Sequence, residues 1–591
     1  MLIKQDKKKI INRALDIAFA AIGLLSFISV TVLVGFRLTE QERNFLHIGS
    51  NFIVWAFVFQ ELFRVFTSHK ILRHIRNRIF LKMISLLFVF IIIFEDEITG
   101  FLGIVFYNLD RSQILVIFVV LQQLIIIFAI MVRLLRRSYL ISKIRLHPGA
   151  IFAISFAILI LFGSLMLQLP RSAPEGREIS FIDSLFTSTS AVCVTGLIVL
   201  DTENDFSAIG KMVILMLIQL GGLGVMTLTT FLAAYFAGGI SFQLRIMMKD
   251  LLSHESLSEV RGILLRILIY TFTIETIGAL LLYLSLEGTF TEFNWDSVYI
   301  AVFHSVSAFC NAGFSLFSGN LMDPLVKDNY FFNSVIMLLI VFGGLGFVVI
   351  NELSAIRPFK YKKKRIKHQL SLHSKIVIIS TLALILGGGL LIYIVEPYSY
   401  NQSMSEAETM FHSIFLSISA RTAGFNTAPM ESITVTAAVL TIVLMWIGAS
   451  PGSTGGGIKT TTASIAFFSF IQYARGKSRV EAFGNEIHQD SIQKAYLVIF
   501  ASLLALGISS IVLFWLEPGM QPMDLIFEAT SALGTVGLSR NITPHLAFGS
   551  KIVIILLMYI GRIGVFTFFT AFFAQQKEPR YKLPKKTVMI G

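Results

Sequence analysis

Long apolar stretches, separated by short polar segments, run through almost the whole chain. In residues 1–147 this pattern predicts four membrane spans, at about 14–36, 49–66, 80–95 and 112–134. Each stretch approaches the length of about 20 apolar residues that a helix needs to cross a bilayer. Because the number of spans is even, we expect the chain to be back on its starting side at residue 148.

From Pro148 onward one pattern occurs four times: a long apolar span, a short amphipathic run and a second span. The first spans are predicted at 150–169, 262–285, 374–395 and 493–516, and the second spans at 209–235, 331–355, 434–472 and 549–574. The short runs between them lie at about 181–192, 295–309, 406–420 and 522–533. Runs of this length are too short to cross a bilayer and are typical of re-entrant or buried helices.

Each short run ends in a similar motif that contains a glycine. The first copy reads Thr189-Ser190-Ala191-Val192-Cys193-Val194-Thr195-Gly196-Leu197, and the others read Ser307-Ala308-Phe309-Cys310-Asn311-Ala312-Gly313-Phe314, Ser419-Ala420-Arg421-Thr422-Ala423-Gly424-Phe425 and Thr530-Ser531-Ala532-Leu533-Gly534-Thr535-Val536-Gly537-Leu538. The near-constant spacing of the four glycines indicates an internal repeat. One copy alone is equally typical of a glycine turn between two membrane helices.

The chemistry of the four motifs favours a site for a small monovalent cation. Asp183, Asp296 and Asp524 lie where three short helices are predicted to begin, and an acidic side chain there caps the helix and complements its dipole. The opposite helix end carries roughly half a negative charge, and glycine lets the next backbone segment turn its carbonyl oxygens toward an axis. Four such loops replace the water shell of a cation. We therefore predict a selectivity filter formed by Val194, Thr195, Gly196, Asn311, Ala312, Gly313, Thr422, Ala423, Gly424, Thr535, Val536 and Gly537.

The second span of the third copy, predicted at 434–472, contains a run of small and helix-breaking residues, Gly448-Ala449-Ser450-Pro451-Gly452-Ser453-Thr454-Gly455-Gly456-Gly457-Ile458-Lys459. Irregular backbone at membrane depth is tolerated only inside protein or beside a water-filled cavity. We therefore predict a loop that breaks this span below the filter. A phosphate-binding loop is disfavoured, because Ile458 separates the glycines from the lysine.

Arg562 is a charged residue within the apolar second span of the fourth copy, predicted at 549–574. It occupies the place that Gly222 and Gly344 hold in the first two repeats, where small residues indicate close helix packing. A charge inside an apolar span is costly and is expected to face a wet interior. Three roles are open for it: repelling cations at the cytoplasmic end, contacting the third-span loop, or pairing with a carboxylate. We favour the first two together.

Composition and charge narrow the classes of function. The chain has 591 residues, of which 55% are hydrophobic and 14% charged, whereas soluble proteins average about 25% charged residues. The net charge of +13 does not indicate nucleic-acid binding, because Lys and Arg concentrate in the termini and alternate loops, as in cytoplasmic segments. Both termini are therefore predicted to be cytoplasmic. Cys193 and Cys310 are expected to be small buried side chains rather than a disulfide, and two cysteines cannot form a Cys₄ zinc site.

The loops ending at Gly196, Gly313, Gly424 and Gly537, together with the stretches 452–459 and 561–564, closely resemble the Trk/Ktr/HKT superfamily of potassium transporters over roughly residues 148–574. The resemblance implies a pore-forming, TrkH/KtrB-like subunit: an all-α polytopic membrane protein of the bacterial inner membrane, with four M1-P-M2 repeats in a pseudo-fourfold arrangement. Here it would carry an N-terminal four-helix membrane extension. The resemblance also implies a homodimer and a separate RCK-type nucleotide-binding regulatory subunit.

On this basis we expect five segments: the N-terminal domain (1–147), repeat 1 (148–238), repeat 2 (239–356), repeat 3 (357–473) and repeat 4 with its tail (474–591). By resemblance the intramembrane gate consists of Gly448, Ser450, Gly452, Ser453, Thr454, Gly455, Gly456, Gly457, Lys459 and the pore-facing Arg562.

Potassium uptake is the expected function, with potassium as the substrate and no bound cofactor. A serine in the first filter accompanies sodium transport in some plant members, and the matching residue here is Gly196, which favours potassium. A sodium-permeable or sodium-coupled transporter is the alternative, and a secondary transporter of another substrate is a remote one. No catalytic constellation is present in the sequence, so we do not expect an enzyme.

Overall fold

The computed structural model describes residues 2–66, 148–224, 260–286, 294–355, 370–396 and 405–572, with isolated positions between 86 and 126 and at 584. Two helices, α1 (Leu2–Gly35) and α2 (Glu40–Phe66), cover the first two predicted spans. They pack side by side, with the ring centroids of Phe19 and Phe57 5.9 Å apart. The spans predicted at 80–95 and 112–134 lie largely outside the described residues.

Beyond Pro148 the helices follow the predicted alternation of long and short elements. The first helices of the four repeats are α3 (Pro148–Leu167), α6 (Val260–Leu286), α10 (Leu372–Val395) and α14 (Gln489–Leu516). The short helices, which we call pore helices, are α4 (Phe181–Cys193), α7 (Trp295–Cys310), α11 (Glu406–Ser419) and α15 (Pro522–Gly534). All these bounds agree with the predicted runs to within a few residues.

The helices of the second spans end partway along the predicted runs, at a glycine in repeats 1, 2 and 4 and at Ile447 in repeat 3. They consist of α5 (Ala208–Leu223), α8 and α9 (Tyr330–Leu345 and Phe347–Ala355), α12 and α13 (Val435–Trp446 and Thr460–Ala474), and α16 and α17 (Phe548–Ile563 and Val565–Phe572). Gly224, Gly346 and Gly564 have φ angles of 74°, 89° and 91°, which residues with a side chain adopt only at a cost. The chain bends by 101° between α8 and α9. The runs predicted as second spans at 331–355 and 549–574 therefore each consist of two helices as far as the structure describes them, and residues 225–235 of the run predicted at 209–235 lie outside the described residues.

The start of each pore helix differs in detail from the prediction. The N-cap residues are Ser180, Asn294, Ser405 and Gln521, and the first three accept a hydrogen bond from a backbone N–H of the first turn. The predicted capping residues Asp183, Asp296 and Asp524 instead lie within the first turn. Their charge still complements the positive end of the helix dipole.

The hydrophobic core is shared between neighbouring repeats. One cluster combines Phe186 of repeat 1 with Phe303 of repeat 2 and Leu525 of repeat 4. A second joins repeats 2 and 3, and a third joins repeats 3 and 4, where Phe527 packs with helix α12. Because every repeat buries apolar side chains against the next, the four repeats close on themselves.

The described part of the chain has the character of an all-α polytopic membrane protein. Five helices are long and apolar enough to cross a membrane, or six if the bent pair α8–α9 counts as one span. Much of their apolar surface faces outward, as at Leu386 and Trp515, which are 61% and 80% exposed. A two-stranded hairpin, β1 (Glu481–Ala482) and β2 (Asn485–Glu486), lies in the segment between α13 and α14.

Candidate functional site

The four motif glycines meet in a closed ring. A Cβ atom built on Gly196 would lie 2.5 Å from the carbonyl oxygen of Ala312, and one built on Gly313 would lie 2.7 Å from that of Ala423. Each glycine is placed in this way against the backbone of the next copy, in the order Gly196, Gly313, Gly424, Gly537 and back to Gly196. The structure thus brings together segments that are more than a hundred residues apart in sequence, with their carbonyl groups at the contact.

The backbone around the ring repeats the same unusual conformation in every copy. The residue two positions before each glycine is left-handed, with φ angles of 56° at Val194, 61° at Asn311, 73° at Thr422 and 49° at Thr535. Residues with a side chain in this conformation cost about 1–3 kcal/mol each and persist only where the surrounding structure fixes them. Three of the four are β-branched, which makes the conformation rarer still. Such strain is concentrated at functional sites.

A serine at the end of each pore helix holds the segment in place. Ser190 and Ser531 accept a hydrogen bond from the backbone N–H of Gly196 and Gly537, at 3.0 Å in both cases. Ser307 and Ser419 donate instead to the carbonyl oxygens of Phe314 and Phe425. The sequence analysis assigned no role to these serines, although the Ser-Ala pair present in every motif was a usable signal.

The third copy is one residue shorter than the others. Its serine precedes the glycine by five positions, whereas the other copies have six. The additional charge in this copy, Arg421, is 7% exposed and points back toward α10, with one guanidinium nitrogen 3.5 Å from the carbonyl oxygen of Thr381. The shorter loop therefore directs a large side chain away from the ring.

A cavity of about 240 Å³ opens directly beside the glycine ring. Gly196, Gly424 and Gly537 form its floor, and polar side chains such as Asn320 and Glu431 line its walls. The cavity lies on the side of the ring where the chain leaves the motifs, between the ring and the short 3₁₀ helices Asn320–Met322, Met430–Ser432 and Thr543–His545. The ring is thus accessible to a polar solute from this side.

The glycine-rich loop at 447–459 packs against the opposite side of the ring. A Cβ built on Gly455 would collide with the hydroxyl of Thr422, and one on Gly456 would collide with that of Thr535. Glycine is therefore required at both positions by the close approach of the loop to the left-handed residues. The loop therefore lies directly against the left-handed residues that precede Gly424 and Gly537.

The two ends of the loop are tied to each other, while its middle is tied to repeat 2. The backbone N–H of Gly448 donates to the carbonyl oxygen of Ile458 at 2.9 Å, which closes the loop. The N–H of Ser450 donates to Gly344 at 3.0 Å, and that of Phe347 donates to Gly452 at 3.0 Å. The bend between α8 and α9 is thus occupied by the loop of the next repeat.

Thr454 joins the loop to two further elements. Its backbone N–H donates to the carbonyl oxygen of Gly343 at 3.2 Å. Its hydroxyl donates to the carbonyl oxygen of Phe309 at 3.1 Å, near the end of pore helix α7. Only 1% of Thr454 is exposed, so these bonds are shielded from water and each unsatisfied group would be costly.

Two cationic side chains contact the loop: Arg562, which belongs to repeat 4, and Lys459, which belongs to the loop itself. Arg562 donates to the carbonyl oxygens of Thr454 and Gly221. Lys459 donates to the carbonyl oxygen of Gly455 at 2.7 Å. The ion pairs within the described residues do not include Arg562, so its observed contacts match the predicted contact with the loop rather than pairing with a carboxylate.

The predicted site residues therefore fall into two adjoining groups. All twelve residues of the predicted filter are buried around the ring, and the nine predicted residues of the loop lie in the segment packed below it, with Arg562 bridging the loop and α5. Cys193 and Cys310 are free and buried, as expected. Within the described residues no cluster of three or more His, Cys, Asp or Glu side chains is suited to hold a metal ion.

These features define a class: a helical membrane protein in which four glycine motifs, each following a short helix, meet in one ring. The comparison with known proteins agrees. Residues 116–582 match the TrkH family, described as a cation transport protein, and the chain belongs to this family.

Several curated proteins are similar to the chain. The potassium/sodium uptake protein NtpJ of Enterococcus hirae is 37% identical over 455 residues, 76% of this chain and 98% of that protein. The Ktr system potassium uptake protein B of Bacillus subtilis is 36% identical over 467 residues, 77% of this chain and all of that protein. Among solved structures, the potassium transporter TrkH from Vibrio parahaemolyticus superposes with a TM-score of 0.59 at 18% identity, covering 78% of this chain and 90% of that one; it supports the fold.

Proposed function

We propose that this protein takes up potassium across the cytoplasmic membrane through a filter of backbone carbonyl groups. The observation that carries the proposal is the closed ring of Gly196, Gly313, Gly424 and Gly537. Rings of carbonyl oxygens replace the hydration shell of a potassium ion. The names of the two curated relatives described above refer to potassium/sodium uptake and to potassium uptake, which supports the same substrate.

The loop at 447–459 acts in this proposal as the gate, together with Arg562. It lies directly against the ring and has no regular helical hydrogen bonding, so it is able to move without unwinding a helix. Its three backbone bonds to repeat 2 would stabilise a closed arrangement. A cytoplasmic ring of separate RCK-type regulatory subunits would shift the loop. The functional unit would be a homodimer, with both termini of each chain in the cytoplasm.

Growth of a bacterium that lacks its own potassium uptake systems tests the proposed function. Cells that produce the protein are expected to grow at low external potassium, and added sodium is expected to have no effect on that growth. A matched variant, Gly313→Ser, should abolish the rescue because its side chain would collide with the backbone of Ala423 and Gly424. No rescue by the natural chain, although it is present in the membrane, would contradict the proposal.

Sodium permeation is the second candidate, because the name of the Enterococcus relative includes sodium. A sodium-coupled transporter predicts rescue only when sodium is present, and a sodium-permeable pore predicts sodium uptake without rescue. Uptake of ²²Na⁺ and ⁸⁶Rb⁺ by the same cells separates the two candidates. Uptake of sodium that equals or exceeds uptake of rubidium would favour the sodium transporter.

Shortening the loop tests the proposed gate. Deletion of five residues within Gly452–Gly457 removes the segment that lies against Thr422 and Thr535, so we expect a higher rubidium flux at an unchanged amount of protein. A flux equal to that of the natural chain would contradict gating by the loop. An exposed loop of the same chain, at residues 476–479, provides the control deletion.

A further inference from the structure

Three arginine side chains converge at the junction between the N-terminal helices and repeat 1. Arg37 follows the end of α1, Arg43 lies in the first turns of α2, and Arg171 follows α3. Together they line a cavity of about 620 Å³, which we call the arginine cleft. Ser207, the N-cap of α5, also lines the cleft, so the cleft adjoins the start of that helix.

The junction is held by backbone contacts as well as by charge. The backbone N–H of Arg171 donates to the carbonyl oxygen of Gly35 at 2.9 Å, and its guanidinium donates to that of Leu33 at 3.2 Å. The hydroxyl of Ser207 donates to the carbonyl oxygen of Arg171 at 2.5 Å. The cleft is thus formed by fixed elements on both sides and does not depend on one flexible side chain.

The positive charge of the cleft is only partly balanced. Arg37 lies 3.6 Å from Glu175, whose side chain is 91% exposed. The carboxylate of Glu42 accepts hydrogen bonds from the backbone N–H and the hydroxyl of Thr39, both at 2.8 Å. Within the described residues, neither Arg43 nor Arg171 takes part in an ion pair. Burial, and then the charges of Arg43 and Arg37, lower the pKa of Arg171 below its usual value.

We propose that the arginine cleft binds a phosphate group, carried by the head group of an anionic phospholipid or by free phosphate. Guanidinium groups bind phosphate oxygens through paired, charge-assisted hydrogen bonds. Besides the polar side chains of Thr39, Glu175 and Ser207, the lining of the cleft includes an apolar stretch formed by residues such as Leu38, Pro174 and Ile209. This stretch suits the glycerol and ester portion of a lipid better than a fully hydrated ion. A bound phosphate would bridge α1, α2 and repeat 1, so it would stabilise the attachment of the N-terminal helices.

Thermal unfolding of the purified full-length protein in detergent tests the site. Three additives are compared: dioctanoyl phosphatidylglycerol, dioctanoylglycerol, which lacks the phosphate, and inorganic phosphate. We expect phosphatidylglycerol to raise the unfolding midpoint and dioctanoylglycerol to leave it unchanged. Native mass spectrometry of the same protein, purified in mild detergent, is expected to detect one retained phospholipid per chain.

Variants connect the effect to the cleft. The double variant Arg37→Gln/Arg43→Gln should weaken phosphatidylglycerol binding about tenfold or more, as expected for the loss of charged hydrogen bonds. Arg43→Lys keeps the charge but not the paired geometry, so it should retain part of the affinity. Arg479→Gln is the control, because Arg479 lies in the β1–β2 region and its side chain is 72% exposed.

The outcomes are distinct. Stabilisation by phosphatidylglycerol that is lost in the double variant and kept in the control supports a lipid phosphate. Equal stabilisation by inorganic phosphate, lost in the same variant, supports the site with free phosphate as its ligand. The proposal would be overturned if neither phosphatidylglycerol nor inorganic phosphate stabilised the protein, or if dioctanoylglycerol stabilised it as much as phosphatidylglycerol. It would also be overturned if the stabilisation were the same in the double variant as in the natural chain.

Discussion

Arg562 donates a hydrogen bond to the carbonyl oxygen of Thr454, a residue that belongs to a different repeat and lies 108 positions earlier in the chain. The other terminal nitrogen of the same guanidinium donates to Gly221 in repeat 1. One side chain therefore holds the glycine-rich loop of repeat 3 and the end of α5 together. The planar guanidinium is suited to this, because it presents several donors in a fixed geometry.

Replacing Arg562 is expected to loosen the loop. Hydrogen bonds to charged groups contribute about 1.5–3 kcal/mol, and a shift of 1.4 kcal/mol changes a two-state equilibrium about tenfold. We therefore expect Arg562→Gln to raise rubidium flux about tenfold or more, with the ratio of rubidium to sodium flux unchanged. Flux measured in proteoliposomes at equal protein content checks this.

Arg562→Lys separates the two roles proposed for this residue. Lysine keeps the positive charge but has no planar fork of donors. A flux like that of the natural chain would indicate that repulsion of cations by the charge matters most. A flux like that of Arg562→Gln would indicate that the contact with Thr454 matters most. If neither substitution changes the flux, Arg562 has no part in gating.

Thr454 provides an independent test of the same loop. Its hydroxyl lies 3.1 Å from the carbonyl oxygen of Phe309, and the side chain is 1% exposed. Thr454→Val keeps the shape but leaves this buried carbonyl without its partner, at a cost of about 1–3 kcal/mol. We expect a higher basal flux from Thr454→Val and a nearly natural flux from Thr454→Ser, which retains the hydroxyl. Equal fluxes from the two variants would show that the bond does not hold the loop.

The glycine ring predicts which substitutions change ion preference. Gly196 has a φ angle of 93°, and a Cβ there would lie 2.5 Å from the carbonyl oxygen of Ala312. Gly196→Ser should therefore displace the neighbouring carbonyl groups and lower the preference for potassium over sodium by about tenfold, or 1.4 kcal/mol. Relative uptake of ⁸⁶Rb⁺ and ²²Na⁺ measures this preference.

Gly176 supplies the control for this substitution. It has a comparable φ angle of 80°, but a Cβ built on it has no heavy atom within 4 Å. Gly176→Ser therefore carries the same backbone cost without a collision, and it should leave the ion preference unchanged. If both variants, or neither, change the preference, the close approach around the ring does not determine selectivity.

The sequence was sufficient to predict most helices and the grouping of the predicted site, for identifiable reasons. Apolar runs long enough to cross a bilayer, and the short runs between them, are local patterns, so the bounds of α4 and α7 were predicted to within a residue or two. The repeated glycine motif also indicated that distant segments belong together. Neither inference requires knowledge of contacts between repeats.

Other features depend on contacts that the sequence does not display. Gly344 was interpreted as a small residue for helix packing, but its carbonyl oxygen accepts a hydrogen bond from the backbone N–H of Ser450 in the loop of repeat 3. The side chain of Asp183 was assigned to a helix cap, whereas Ser180 takes that role. The partner of Gly344 belongs to another repeat and is not identified by local pattern, whereas Ser180 precedes Asp183 closely in sequence and was a local capping signal.

The ion pair between Asp183 and Lys551 is expected to stabilise the closure of the ring of repeats. The two charged atoms are 2.7 Å apart, the side chains are 19% and 14% exposed, and the pair joins pore helix α4 to α16 of repeat 4. Removing one partner of a buried ion pair costs about 3–5 kcal/mol, and we expect about 2 kcal/mol at this partial exposure. Lys551→Met should therefore lower the thermal unfolding midpoint in detergent by several degrees, whereas Lys477→Met should not, because its pair with Glu481 is more than half exposed and 3.8 Å long. Equal unfolding midpoints for Lys551→Met and the natural chain would contradict a stabilising role of the pair. If Asp183→Asn in the Lys551→Met background restores the midpoint, the cost arises from the unpaired carboxylate.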